Sequence, residues 1–436
     1  MEGAALFWTA TGILIITYVV IISDRINRAV IALLGGSVMI IVGALTQDQA
    51  IAAINFNALG LLAGMMIIVG VARKSGLFGY AAITAAKLVR ASPAGVMIVL
   101  SLLTALFSAL LDNVTTVLLV VPVTFVIAEE LAVPVYPFLV AEILASNIGG
   151  TATLIGDPPN ILIGTAAHLS FNAFLLNLGP FVAALLVLQV LVNHFIWGIH
   201  LRAEPERRER LMGLNPSAMI QDRWLLACSL IVIGAVTLGL ILAHQLHLEV
   251  ATIALAGAAT LILLETIPHH HHKHADLVAH AFAEVEWITL FFFVGLFVIV
   301  GGIERAGVLD WLAQQLVAAT HGNPFATATG VLWGSALLSS IVDNIPFVTT
   351  MIPLIQHLDR ILGGAQNLMP VWWALSLGAC LGGNGTLIGA SANLTVAGLA
   401  EKNGVRFSFV RFAAVAFPMM LASIVLAQLY LSWRYF

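Results

Sequence analysis

Residues 146–160, S-N-I-G-G-T-A-T-L-I-G-D-P-P-N, lie between long apolar runs and yet cannot form a continuous helix. Gly149, Gly150, Gly156, Pro158 and Pro159 fall within them, together with five small polar side chains and the carboxylate of Asp157. Backbone that unwinds at membrane depth is tolerated only where protein or a wet cavity satisfies its hydrogen bonds. The same pattern returns at 379–393, A-C-L-G-G-N-G-T-L-I-G-A-S-A-N, with G-G, T-L-I-G and the final Asn in equivalent places.

The repeat extends well beyond these two stretches. V-G-V-A-R-K-S-G-L-F at 69–78 matches V-G-G-I-E-R-A-G-V-L at 300–309, and Asp112-Asn113 matches Asp343-Asn344, both at an offset of 231. Thr153–Gly156 matches Thr386–Gly389 at 233. Sixty per cent of the chain is hydrophobic and only 9% charged, so it is a polytopic membrane protein and not a soluble domain. Continuous helices are predicted at 6–22, 29–46, 56–72, 173–198, 224–243, 249–266, 286–303 and 410–432, each about the length that spans a bilayer. Hairpins are predicted at 94–128 and 325–358, broken at the two Asp-Asn pairs, and broken helices at 135–167 and 370–399.

With the N-terminus outside and ten crossings, all of the 18 Lys and Arg except Arg305, Arg360 and Arg434 fall on one face, which the positive-inside rule makes cytoplasmic. Each half then holds five crossings, one of them broken, and one hairpin. Five is odd, so the halves are inverted with respect to one another. The predicted fold is an all-α polytopic membrane protein of two inverted repeats, 1–200 and 224–436, joined by a basic, solvated cytoplasmic linker at 201–223. Inverted repeats with broken helices are the architecture of secondary transporters, with the site at mid-membrane.

The residues able to carry chemistry cluster at the four breaks. Asp112 and Asp343 are predicted to bind a coupling proton or cation, or to cap the second arm of each hairpin, or both. Asp157 is either a third titrating group or turn chemistry before Pro-Pro. Asn113, Thr115, Thr116, Asn147, Gly149, Gly150, Thr151, Asn344, Gly382, Gly383, Asn384 and Thr386 are the candidate substrate contacts. Against that stands the need of any unwound backbone for the same amides and hydroxyls. No Lys or Arg lies in the breaks, which argues for a neutral or weakly charged solute, or a cation. Glu142 and Cys380 are further intramembrane polar groups, and His269 to His274 reads as a solvated cytoplasmic loop with incidental metal affinity. No motif of an ATPase, zinc protease or serine hydrolase is present, no enzyme activity is expected, and no basic stripe points to nucleic acid.

L-D-N-V-T-T at 111–116, N-I-G-G-T-A-T-L-I-G-D-P-P-N at 147–160 and V-E-W-I-T-L-F-F-F at 285–293 resemble the arsenite permease and P-protein family of the ion transporter superfamily, closest to the P-protein-like branch. The resemblance covers nearly the whole chain. It implies secondary transport through inverted repeats, driven by a proton or sodium gradient with no cofactor. It also implies a homodimer whose transport domain slides past a scaffold, and allows a cytoplasmic ATPase partner. Arsenite permeases tend to carry N-D-G at the first hairpin, where this chain has Asp112-Asn113. The expectation is proton-coupled efflux of arsenite, antimonite or a similar small solute across the plasma (inner) membrane. Sodium/proton antiport, anion carriage and, third, a gated anion channel are the alternatives.

Overall fold

The computed structural model describes residues 3–23, 25–269, 271–362 and 365–436; His270 and the side chains of 271, 272 and 359–367, Arg360 among them, lie outside the described residues. Among the described residues the chain is all helical, with 22 α-helices, two short 3-10 turns and no strand. Eight helices among the described residues are long and apolar enough to cross a membrane.

Both halves run through the same series. A crossing, Gly3–Ile22 or Arg223–Leu246, is followed by a shorter apolar helix, Arg28–Ile41 or Val250–Thr266. A short helix, Gln47–Ala53 or His271–Ala283, leads to a second crossing, Phe56–Arg73 or Trp287–Arg305. An arm helix then precedes the hairpin: Leu77–Leu88 before Pro93–Leu110 and Asn113–Leu131, and Val308–Thr320 before Pro324–Ser339 and Asn344–Leu362. The broken helix follows, Tyr136–Gly150 with Pro158–Ala166, or Ala365–Gly382 with Ser391–Lys402. A last crossing, Gly179–Ile196 or Phe409–Tyr435, closes each half.

Repeated backbone chemistry explains why both halves fold alike. Gly76 and Gly307 start the arm helices with φ of 85° and 76°, a left-handed turn that side chains resist. Pro122 and Pro353 fall at equivalent points inside the second hairpin arms. A Cβ on Gly149 would come within 2.2 Å of the Ala105 carbonyl oxygen, and one on Gly382 within 2.6 Å of that of Ala336. The first arm of each hairpin therefore lies directly against the backbone of its broken helix.

The halves also interlock. Asn113–Leu131 packs on Ser391–Lys402 of the other half, and Asn344–Leu362 packs on Pro158–Ala166. Away from this centre, Arg28–Ile41 lies along Trp287–Arg305, and Phe56–Arg73 along Val250–Thr266. The hairpins and broken helices, with the last crossing of each half packed on them, thus form one body, and the first two helices and second crossing of each half a scaffold beside it.

Several boundaries differ from the sequence reading. The predicted helix 29–46 stops at Ile41 and resumes at Gln47, where Thr46 and Gln49 close a reciprocal cap. The predicted helix 173–198 is divided at Leu178. The arm helices fall between the predicted spans, since 12 or 13 residues are too few to cross a bilayer. The His tract lies in part on a helix, His271–Ala283, and not in a loop. The linker is not simply solvated: Pro205–Gly213 is a helix, its Leu211 is fully buried against the base of the first hairpin, and Arg208 donates to the Arg90 carbonyl at 3.0 Å.

The close approach at Gly149 yields a direct test. Gly149→Ala should lower stability by about 1–3 kcal/mol, the usual cost of overpacking. Gly398→Ala, with nothing within 4 Å of its added methyl, should be neutral. Thermal unfolding in detergent, followed by tryptophan fluorescence, checks both; equal midpoints would contradict the packing described.

Candidate functional site

Four half-helices begin at mid-membrane, at Asn113, Pro158, Asn344 and Ser391. Their N-termini carry partial positive charge from unpaired N–H groups. Three of them follow a carboxylate, Asp112, Asp157 and Asp343, whereas the fourth follows Ala390. These ends surround a cavity of about 320 Å³ whose wall includes Asp112, Asn113, Asp157, Pro158, Asn344, Ile345 and Ser391. Asn27, Arg28, Glu286, Thr289 and Thr395 complete its polar lining.

The carboxylates are held differently. Asp112 is a true N-cap: one oxygen accepts from the Thr115 N–H at 2.8 Å and the other from the Thr115 hydroxyl at 2.5 Å. Asp157 makes no capping bond and faces across the repeat, accepting from the Asn344 amide at 3.4 Å on both oxygens. Asp343 accepts at one oxygen from the Ile345 N–H at 3.2 Å. Its other oxygen accepts from the Arg28 guanidinium at 2.7 Å and from the Ser391 hydroxyl at 2.6 Å. Arg28 also donates directly to Ser391, at 2.8 Å, and lies 5.2 Å from the centre of the buried Phe292 ring. That ring face favours a cation and helps fix the guanidinium.

Arg28 overturns the inference drawn from the breaks themselves. They contain no Lys or Arg, but the cavity they enclose does, because Arg28–Ile41 packs alongside and delivers its first residue into it. Glu286, just ahead of Trp287–Arg305 and accepting from Thr289 at 3.1 Å, enters the same way. Neither residue belongs to a repeat motif, so spacing within the motifs could not single them out. The motif V-E-W-I-T-L-F-F-F does contain Glu286, Thr289 and Phe292, and was the available signal.

The remaining candidates are mostly used by the backbone. Thr153 and Thr386 donate to the Ala109 and Ser340 carbonyls, each at 2.5 Å, and Ser108 and Ser339 to the Ser146 and Ala379 carbonyls, each at 2.7 Å. These repeated ties fasten each broken helix and its loop to the neighbouring hairpin. Asn160 donates to the carbonyls of Gly150, Thr151 and Thr153, and Asn393 to those of Gly383 and Thr386. Asn147 joins the halves, accepting from Asn113 at 3.1 Å and donating to Asn384 and Asn393 at 2.9 Å each. Thr151 donates to the Asn147 carbonyl. Gly149, Gly150, Gly382 and Gly383 allow close backbone approach, and none of them lines the cavity. At the first tip, Asn113 Oδ1 and Thr116 Oγ1 are buried without a partner. Glu142 is buried outside the cavity, accepting from Thr124 at 2.6 Å, and Cys380 Sγ lies 3.5 Å from Asn160 Oδ1.

Asn27, Arg28 and Glu286 lie at scaffold helix ends on the face that carries most of the basic residues, and the cavity runs from the hairpin tips to them. A second cavity of about 330 Å³, lined by Asn55, Glu304, Thr349 and Gln356 among others, shares no residue with it. The two cavities lie toward opposite ends of Trp287–Arg305. A charged thiol reagent should label Thr395→Cys from the basic face and Gln356→Cys from the opposite one, with the native Cys228 and Cys380 buried. Labelling of Thr395→Cys from the opposite face alone would contradict this state.

Comparison with known proteins agrees with this architecture. Residues 18–378 match the CitMHS family model, described as a citrate transporter. An uncharacterized transporter of Mycobacterium tuberculosis is 42% identical over 431 residues, covering 98% of both chains. The human P protein is 34% identical over 505 aligned positions, which cover 97% of this chain and 59% of that protein. The Alcanivorax borkumensis YdaH transporter, whose crystal structure is described as having an unusual topology, superimposes with a TM-score of 0.62 over 93% of this chain and 96% of its own, at 15% identity. An all-helical membrane protein with paired broken helices around one polar cavity, matched over most of its length by that family model, this chain belongs to the CitMHS citrate-transporter family of secondary transporters.

Proposed function

We propose that the protein carries a small carboxylate-bearing anion across the cytoplasmic membrane, coupled to protons or a cation, by exposing the central cavity to each face in turn. The observation that carries this reading is Arg28 in the cavity wall, beside the one half-helix N-terminus that follows no acidic residue. An Arg fork matches a carboxylate, and a helix N-terminus favours an anion. The printed name of the family, citrate transporter, supports the same substrate class. Arsenite efflux was favoured by the lack of a fixed cation, and Arg28 removes that support.

Coupling falls to the acidic side of the cavity. Asp112, Asp157 and Glu286 outnumber the single guanidinium, and like charges gathered in a poorly solvated space disfavour one another. Loading a proton or cation there offsets the repulsion that an incoming anion would meet. The unpartnered acceptors Asn113 Oδ1 and Thr116 Oγ1 add oxygen donors suited to a cation at the first tip.

Proteoliposomes containing the purified protein should take up labelled citrate or succinate when a proton or sodium gradient is imposed, and Arg28→Ala should reduce that uptake at least ~100-fold, the usual cost of losing a charged hydrogen-bond partner. Arsenite flux without carboxylate flux would reinstate the metalloid reading. Sodium-dependent proton flux with neither solute would make the protein a cation antiporter.

A further inference from the structure

Asp343 occupies a place made for someone else's carboxylate. Its oxygen sits between the Arg28 guanidinium and the Ser391 hydroxyl, at the start of the helix Ser391–Lys402. In the other copy the equivalent helix, Pro158–Ala166, follows its own acidic residue, Asp157; here Ala390 leaves the position without one, and Asp343 reaches across from the hairpin tip. The bond also joins two bodies, since Arg28 belongs to the scaffold and Asp343 to the interlocked hairpins.

We infer that the substrate's carboxylate and Asp343 compete for Arg28 and Ser391, so that anion binding frees the Asp343 side chain from both and transfers a proton from solvent to it. This rests on the carboxylate reading above. The step balances: an Arg28⁺–Asp343⁻ pair, one carboxylate anion and one proton become an Arg28⁺–substrate pair and a neutral Asp343 acid. Net charge is gained by neither side of the exchange, so the anion enters together with its compensating proton.

The choice of Asp343 follows from what each carboxylate keeps. Once displaced, Asp343 retains only the Ile345 N–H at 3.2 Å, while Asp112 keeps both Thr115 donors and Asp157 keeps the Asn344 amide. The charged groups around it are all acidic apart from Arg28: Asp157 ahead of Pro158–Ala166, Asp112 on the opposite tip and Glu286 ahead of Trp287–Arg305. Cys380, on the adjoining broken helix, is buried against Asn160 and Asp157. Loss of a cationic partner among other carboxylates disfavours the charged form of any carboxylate. Asp343 is 12% exposed and bonded to Arg28 and Ser391, both in the cavity wall, so solvent protons can reach it.

With substrate bound, or with Asp343 protonated, the Arg28–Asp343 ion pair is gone, while Arg28 and Ser391 stay joined by their own bond or through the anion.

Calorimetric binding of citrate to the purified protein near neutral pH, repeated in buffers of different ionisation enthalpy, counts the protons taken up. Wild type should take up one proton per anion more than Asp343→Asn, because only the native side chain can accept it. The difference cancels protons that citrate itself exchanges. Asp343→Asn should still bind, with an affinity that no longer weakens tenfold for each unit rise in pH. Should that variant fail to fold, Arg28→Lys provides the second arm: it keeps the charge but loses the fork, so affinity should fall while the extra proton remains. Equal proton uptake in wild type and Asp343→Asn, or loss of the proton in an Arg28→Lys protein that still binds, would overturn the exchange and leave the carboxylate reading standing. No binding of citrate or succinate to wild type would overturn both.

Discussion

A peptide group that leaves a helix in the middle of a membrane has no water to turn to, and this single constraint orders the centre of the molecule. The unwound loops after Gly150 and Gly382 are satisfied by a fixed kit of side chains, used once in each half: Asn160 and Asn393 reach back to loop carbonyls, while Thr153, Thr386, Ser108 and Ser339 tie loop to hairpin. An unmade hydrogen bond in such surroundings costs several kcal/mol, so each tie is worth more than it would be at a surface. Glycine at 149 and 382 lets the hairpin come close enough for the ties to form. What is left over, once backbone demands are met, is the chemistry that faces the cavity.

That remainder is unequal between the halves, and the inequality gives the site its polarity. Four half-helix N-termini converge, three after an aspartate and one after Ala390. The scaffold adds Arg28 at the unmatched corner and Glu286 as a further acid. A symmetric pair of halves would offer two equivalent half-sites; the exchange of Asp157 for Ala390 and the guanidinium beside it make one corner basic and leave the rest acidic.

How much of this was legible beforehand follows from what repeats and what does not. The inverted repeat, both hairpins, their Asp-Asn tips and the broken helices were readable because motifs recur at offsets of 231 and 233. Arm helices Leu77–Leu88 and Val308–Thr320 were not, since they are too short for a span, although Gly76 and Gly307 marked their starts. The candidate list gathered the polar residues at the breaks but could not divide backbone keepers such as Thr386 from cavity-lining groups such as Asn344, because both are small polar residues beside the breaks. Arg28 was invisible for a different reason: it reaches the cavity through helix packing across 315 residues to Asp343, and no local pattern encodes that. The rule that a site free of Lys and Arg holds a neutral solute was sound in itself and was applied to too small a set of residues.

The account stands or falls on what occupies the corner between Arg28 and Ser391 when substrate is present. An experimental structure of the protein in a lipid nanodisc with citrate would show it directly. The expected result is a carboxylate bonded to the Arg28 guanidinium and the Ser391 hydroxyl, with Asp343 turned away from both. An intact Arg28–Asp343 pair with citrate bound elsewhere in the cavity would contradict it.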